Sequence, residues 1–201
     1  MKNYIIYLFA LMMGLCGLSS CSEEASEEEE YANWYERNQQ FLASVATDSM
    51  QSGSQWVKFK QYSLDQTKEG TVSDYIYVKK LGHEGTSTVS PNFTDSVRVI
   101  YQGRLIPSKS YPKGFVFDGT VYGEYSLKTG YSTKQKVSSM IDGYATALQH
   151  MTVGDHWLVY IPSDLAYGAS GKSTIPGHSL LIFELTLLDA SPAGQVMKPW
   201  R

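Results

Sequence analysis

The stretch from residue 152 to 183 constrains this chain most. It reads as strand, ordered loop, strand. Residues 157–161 (Trp-Leu-Val-Tyr-Ile) are β-branched and aromatic, with Gly154 before them and Pro162 after. Residues 180–188 form a second apolar run of strand length. Between them, Ala166-Tyr167-Gly168 and Ile175-Pro176-Gly177 place an aromatic and a β-branched residue in a loop. A solvated linker has no use for either. A loop of this kind, pinned between two core strands, forms one wall of a pocket.

Upstream the apolar pattern has period two. Residues 75–81 read as a strand and 95–105 as a stronger one. In the latter Val97, Val99, Tyr101 and Gly103 point one way, and Arg98, Ile100, Gln102 and Arg104 the other. A loop at 107–114 leads into a short strand at 115–118. Residues 119–135, rich in Gly and Tyr, carry no clear period. Ser139 reads as the N-cap of a helix, with Asp142 at capping-box spacing. Met140, Ile141, Tyr144, Leu148 and Met151 make its apolar stripe, and Gly154 is expected just past its end in a left-handed conformation. With Ser139 as N-cap, Ile141 is the second helical residue, and its N–H has no partner within the helix. One helix against several antiparallel strands is an α+β plan.

The N-terminal part differs. After Lys2, an apolar run over residues 4–18 is shorter than the ~20 residues a spanning helix needs and fits a signal segment. It ends in Leu18-Ser19-Ser20-Cys21, which resembles a bacterial lipobox whose cysteine is acylated; the alternative is an ordinary secretory signal. Several acyl chains on Cys21 would make a stable membrane anchor. The only other cysteine, Cys16, would leave with the signal. The acidic run to Glu30 reads as a solvated tether, or as a signal for display on the outer face of the outer membrane. Residues 31–49 read as a helix with Tyr31, Trp34, Tyr35, Phe41, Leu42, Val45 and Ala46 near one face. Such a helix either packs on the domain that follows or forms a homodimer. Residues 56–62 read equally as a strand or a further helical turn.

Residues 31–201 hold sixteen Lys and Arg against fourteen Asp and Glu. This balance excludes a basic stripe and argues against nucleic acid as a partner. The four histidines lack metal-ligand spacing, and no GxSxG elbow is present. Gly171-Lys172-Ser173 imitates a phosphate loop, but Ala166 stands where its first glycine belongs. One chemistry needs no nucleophile, metal or cofactor: rotation about an X-Pro amide, which a dry aromatic pocket accelerates by fitting the twisted bond.

The order from Val153-Gly154-Asp155 through Ala166-Tyr167-Gly168 to Leu181-Ile182-Phe183 resembles FKBP-type peptidyl-prolyl isomerases, over roughly residues 74–190. The resemblance implies an antiparallel sheet wrapped around one short helix, here with an N-terminal helical extension, and no cofactor or metal. It implies isomerase activity on proline-containing polypeptides. Asp118, Tyr101, Tyr167 and the Ile141 N–H would position the substrate. Phe117, Met140, Tyr144, Ile175 and Phe183 would line the pocket. Tyr144 stands where the family usually has tryptophan, and its hydroxyl needs a partner or water. Tyr125 or Tyr131 is expected as a second aromatic wall. Gly123 stands near the place of an arginine that often pairs with the aspartate. Asp118 is therefore expected to take hydroxyl or backbone donors, or to titrate upward. The expected organisation is signal 1–20, tether 21–30, helical segment 31–73, FKBP-like domain 74–190 and tail 191–201. The expected place is the cell envelope, as an outer-membrane lipoprotein on the periplasmic or the outer face. The expected role is folding of envelope proteins, or else a catalytically weak binding module or a complex subunit.

Overall fold

The computed structural model describes residues 29–51 and 55–199. The signal, Cys21 and nearly all of the acidic tether lie outside the described residues. The chain divides into a unit of residues 1–33 and a second of residues 34–201. Of the first, the described part ends in a turn in which the Ala32 N–H donates to the Glu29 carbonyl at 3.4 Å.

The second unit opens with helix α1 (Trp34–Ser49), which buries Trp34, Asn38, Leu42, Val45 and Ala46. Tyr35, expected on that face, is exposed. The strands are β1 (Trp56–Lys60), β2 (Tyr75–His83), β3 (Ser96–Arg104), β4 (Val116–Gly119), β5 (Thr133–Lys136), β6 (Asp155–Ile161) and β7 (Leu181–Ser191). They build one antiparallel sheet in the order β1-β2-β6-β7-β3-β4, with β5 also pairing on β3. Residues 56–62 thus resolve toward strand: β1 extends the sheet, with Phe59 opposite Ile76.

Helix α2 (Asp142–His150) lies on the inner face of the sheet, so close that a Cβ on Gly143 would stand 2.3 Å from Ile161 Cγ2. Register puts Val99, Tyr101, Trp157, Val159, Phe183, Leu185 and Leu187 on this face. Val99, Val159, Leu185 and Leu187 are wholly buried, and burial of such side chains contributes about 1.5–3 kcal/mol each. The outer face is covered at one end by α1, where Phe41 meets Tyr160 with ring centroids 6.3 Å apart. The α1 face therefore packs on its own domain, the first of the two expected alternatives.

Two details of α2 differ from expectation. Ser139 is not its N-cap. Residues Val137–Ser139 make a separate 3-10 turn, and Ile141 caps the helix, accepting from the Ala145 N–H at 2.9 Å. Gly154 does not end the helix, whose C-cap is Met151. Its φ of 103° serves the tight turn into β6, where a Cβ would lie 2.0 Å from the Glu84 carbonyl oxygen.

Candidate functional site

Four rings converge between β3, β4, β7 and α2. Tyr144 of α2 meets Phe183 with centroids 5.0 Å apart and Tyr101 at 6.2 Å, both edge to face. Phe117 meets Phe183 edge-on at 5.6 Å, and Tyr101 lies 6.3 Å from Phe183. Edge-to-face contact sets positive ring edges against negative faces, so the group holds its geometry. Gly103, opposite Phe183 in register, lies beneath. A Cβ there would stand 2.7 Å from Phe117 Cε2 and from Phe183 Cε1. The alternation in β3 already put Gly103 beside Tyr101. Its tight fit under the rings could not be read from the sequence.

Asp118 is exposed at the rim. The Tyr101 hydroxyl donates to its Oδ2 at 2.8 Å, and the Gly119 N–H to its Oδ1 at 2.8 Å. These are the hydroxyl and backbone donors expected in place of an arginine. Burial, and then the Asp118 carboxylate, push the Tyr101 hydroxyl far above its ordinary range. Tyr144 is buried, and burial raises its hydroxyl well above its ordinary value too. Among the described residues that hydroxyl makes no well-formed hydrogen bond. The Gln135 side chain acts on it from nearby, and Gln135 Oε1 is likewise buried and unbonded. A buried polar group left unpaired costs about 1–3 kcal/mol.

The remaining expected residues lie just before α2 and in the β4–β5 and β6–β7 loops. The Ile141 N–H has no partner among the described residues, because Ile141 is the N-cap rather than because Ser139 precedes it. Met140 is half-buried just before it. Tyr167 lies in the β6–β7 loop, its hydroxyl without a hydrogen-bond partner among the described residues and the Lys172 ammonium 5.1 Å from its ring. It lies within electrostatic reach of Tyr101. Ile175 is buried and pairs with Lys172 across the loop. Of the two candidates for a further wall, Tyr125 is turned to the outer face. Its hydroxyl donates to the Ile100 carbonyl at 2.9 Å, and its ring stacks on His156 at 5.1 Å. Tyr131, half exposed, is the one within electrostatic reach of Tyr101.

Tyr101, Tyr125 and Tyr144 share one consequence. Burial raises all three above the ordinary tyrosine value of 10.0. The folded state therefore holds these protons more tightly than the unfolded state does. Their contribution is complete below about pH 10 and is lost as pH rises beyond it. Thermal melts should show a plateau up to pH 9 to 10 and a steep fall above, shallower in Tyr125→Phe. Tyrosinate absorbance from all fifteen tyrosines rising together near pH 10 in the folded protein would contradict this.

The family model described as FKBP-type peptidyl-prolyl cis-trans isomerase matches residues 87–188. The chain is 40% identical over 100 residues to the FKBP-type 22 kDa peptidyl-prolyl cis-trans isomerase of Escherichia coli, covering 49% of this chain and 43% of that protein. It is 38% identical over 104 residues to the outer membrane protein MIP of Legionella longbeachae, covering 51% and 40%. The chain thus spans about half the length, or less, of these relatives. Among solved structures, a peptidyl-prolyl cis-trans isomerase from Pseudomonas syringae superposes with a TM-score of 0.54 at 28% identity, covering 81% of this chain and 96% of that one.

Proposed function

The chain belongs to the FKBP-type peptidyl-prolyl cis-trans isomerase family, and on that premise we propose that it catalyses cis-trans isomerisation of X-Pro bonds in polypeptides of the cell envelope. The observation that carries this reading is the ring cluster of Tyr101, Phe117, Tyr144 and Phe183 with Asp118 at its rim. Proline enters against the rings. The twisted amide is less polar than the planar one, so a dry aromatic wall favours it over the ground state. The Ile141 N–H and the Tyr167 hydroxyl, both unbonded, take the flanking carbonyls. Asp118, held by Tyr101, faces the rotating amide, and Met140 and Ile175 complete the apolar lining.

The location follows the same reading. Cys21 carries lipid and the acidic run spaces the domain from the outer membrane, in keeping with the similarity to a protein named for that membrane. Helix α1 uses its Trp34 face within the domain, so a homodimer would need another surface of the helix.

A protease-coupled prolyl-peptide assay on the chain lacking residues 1–30 tests the activity. The expected result is a rate above the blank. Asp118→Ala should lower kcat/KM about tenfold, the scale of one hydrogen bond to a charged group. A blank-level rate from folded protein removes the enzyme reading. The second reading is a binding or chaperone module of the envelope, favoured by the unbonded Tyr144 hydroxyl where a tryptophan is usual. It predicts prolyl-peptide binding with no acceleration.

A further inference from the structure

Helix α1 precedes the residues that the family model matches, yet it is bonded to the loop that carries Tyr167 and Ile175. Trp34 Nε1 donates to Ser179 Oγ at 2.8 Å, and Ser179 Oγ donates to the Pro176 carbonyl at 2.6 Å. Asn38 Oδ1 accepts the Leu180 N–H at 2.8 Å, while its Nδ2 is held by the Trp34 carbonyl at 2.7 Å. Trp34, Asn38, Ser179 and Leu180 are all buried, so these bonds are shielded from competing water. Tyr35 adds an edge contact to the His178 ring at 4.8 Å, and the His178 N–H donates to the Gly168 carbonyl, next to Tyr167.

The loop is stiff from there to its tip. Lys172 and Ile175 exchange two backbone bonds of 2.9 Å. Gly177 lies so close to the Ala169 carbonyl oxygen that a Cβ would stand 2.0 Å from it. A loop knit in this way moves as one piece, and α1 holds its stem. We infer that Trp34 and Asn38 are positioning residues for the prolyl pocket: through Ser179 and Leu180 they set where Tyr167 and Ile175 stand against bound peptide.

This inference rests on the proposed isomerase reading. Tyr167 and Ile175 grip the peptide before and during rotation, so loosening the loop removes binding shared by ground and transition states. Such a loss raises KM and spares kcat.

The test measures KM, kcat and prolyl-peptide affinity in the chain lacking residues 1–30, whose compact unit includes α1. Asn38→Ala should raise KM and weaken peptide binding about five- to tenfold, with kcat within about twofold. Asn38→Asp retains an acceptor for the Leu180 N–H but sets a second acceptor against the Trp34 carbonyl, so it should restore only part of the affinity. Trp34→Phe, which loses the bond to Ser179 but leaves the Asn38–Leu180 bond in place, should fall between. Leu42→Ala is the control, because Leu42 is buried in the same helix but bonds nothing in the loop. It should lower the melting temperature and leave KM alone. An unchanged KM in Asn38→Ala, or an equal rise in Leu42→Ala, overturns the inference while the isomerase reading stands. A wild-type protein that neither binds nor turns over prolyl peptide fails the isomerase reading instead, and this inference with it.

Discussion

Phe183→Ala should cut isomerase activity severely and destabilise the domain together. Phe183 is the ring that Tyr101, Phe117 and Tyr144 all touch, and it is only 6% exposed. It also lies in the central strand β7, opposite Val159 on one side and Gly103 on the other. Removing it leaves a cavity that the paired backbone cannot close, at a cost of about 3–5 kcal/mol. For a domain of this size that lowers the melting temperature by roughly 6–20 °C. The three remaining rings lose their common neighbour, and water enters. A fall in kcat/KM of at least about 100-fold is expected, equivalent to ~2.7 kcal/mol of transition-state stabilisation. The assay must be run well below the lowered melting temperature. A folded Phe183→Ala with near-normal activity would mean that the ring cluster is core and that the pocket lies elsewhere.

Gly103→Val separates the pocket from the fold. The rings of Phe117 and Phe183 occupy the space into which any side chain at this position would grow. Gly103 is not among the glycines with positive φ, so valine meets no backbone strain, and its β-branch suits a strand. What it must do is push the rings apart or up into the pocket. Overpacking of this kind costs about 1–3 kcal/mol. The expected protein is folded, with an unchanged circular dichroism spectrum, a modestly lower melting temperature and kcat/KM reduced by more than about tenfold. Loss of activity in step with unfolding would show a purely structural role. An active, folded variant would place the substrate away from these rings.

The strands were legible because an antiparallel strand writes its two faces into alternate residues, as at Val97, Val99 and Tyr101. Register then carried Tyr101, Phe117 and Phe183 to one place, and the helix stripe brought Tyr144 to meet them. The boundaries of α2 were less legible. Ser139 and Asp142 have capping-box spacing, but Val137–Ser139 closes a 3-10 turn first. Which of two chain conformations a serine serves depends on where the preceding strand delivers it. Tyr125 was equally ambiguous. An aromatic residue in an aperiodic loop suits either face of a sheet, and the hydroxyl of Thr186 and the ring of His156 draw it outward. The partnership of Tyr101 with Asp118 joins residues in adjacent strands, and only the backbone register brings the two together. The bonds from Trp34 and Asn38 to residues 179 and 180 cross most of the chain, and no local pattern announces them.

Strand β7 has a further consequence. On one side of it stand β1, β2 and β6, and on the other β3, β4 and β5; among the described strands only β7 pairs with both groups. Its residues, Leu181–Ser191, come after all the others in synthesis. Until they leave the ribosome, β6 and β3 each present a bare edge and neither group has its central neighbour. Pairings this distant along the chain close slowly. The two groups can pair within themselves beforehand, and the sheet joins into one only when its final strand arrives.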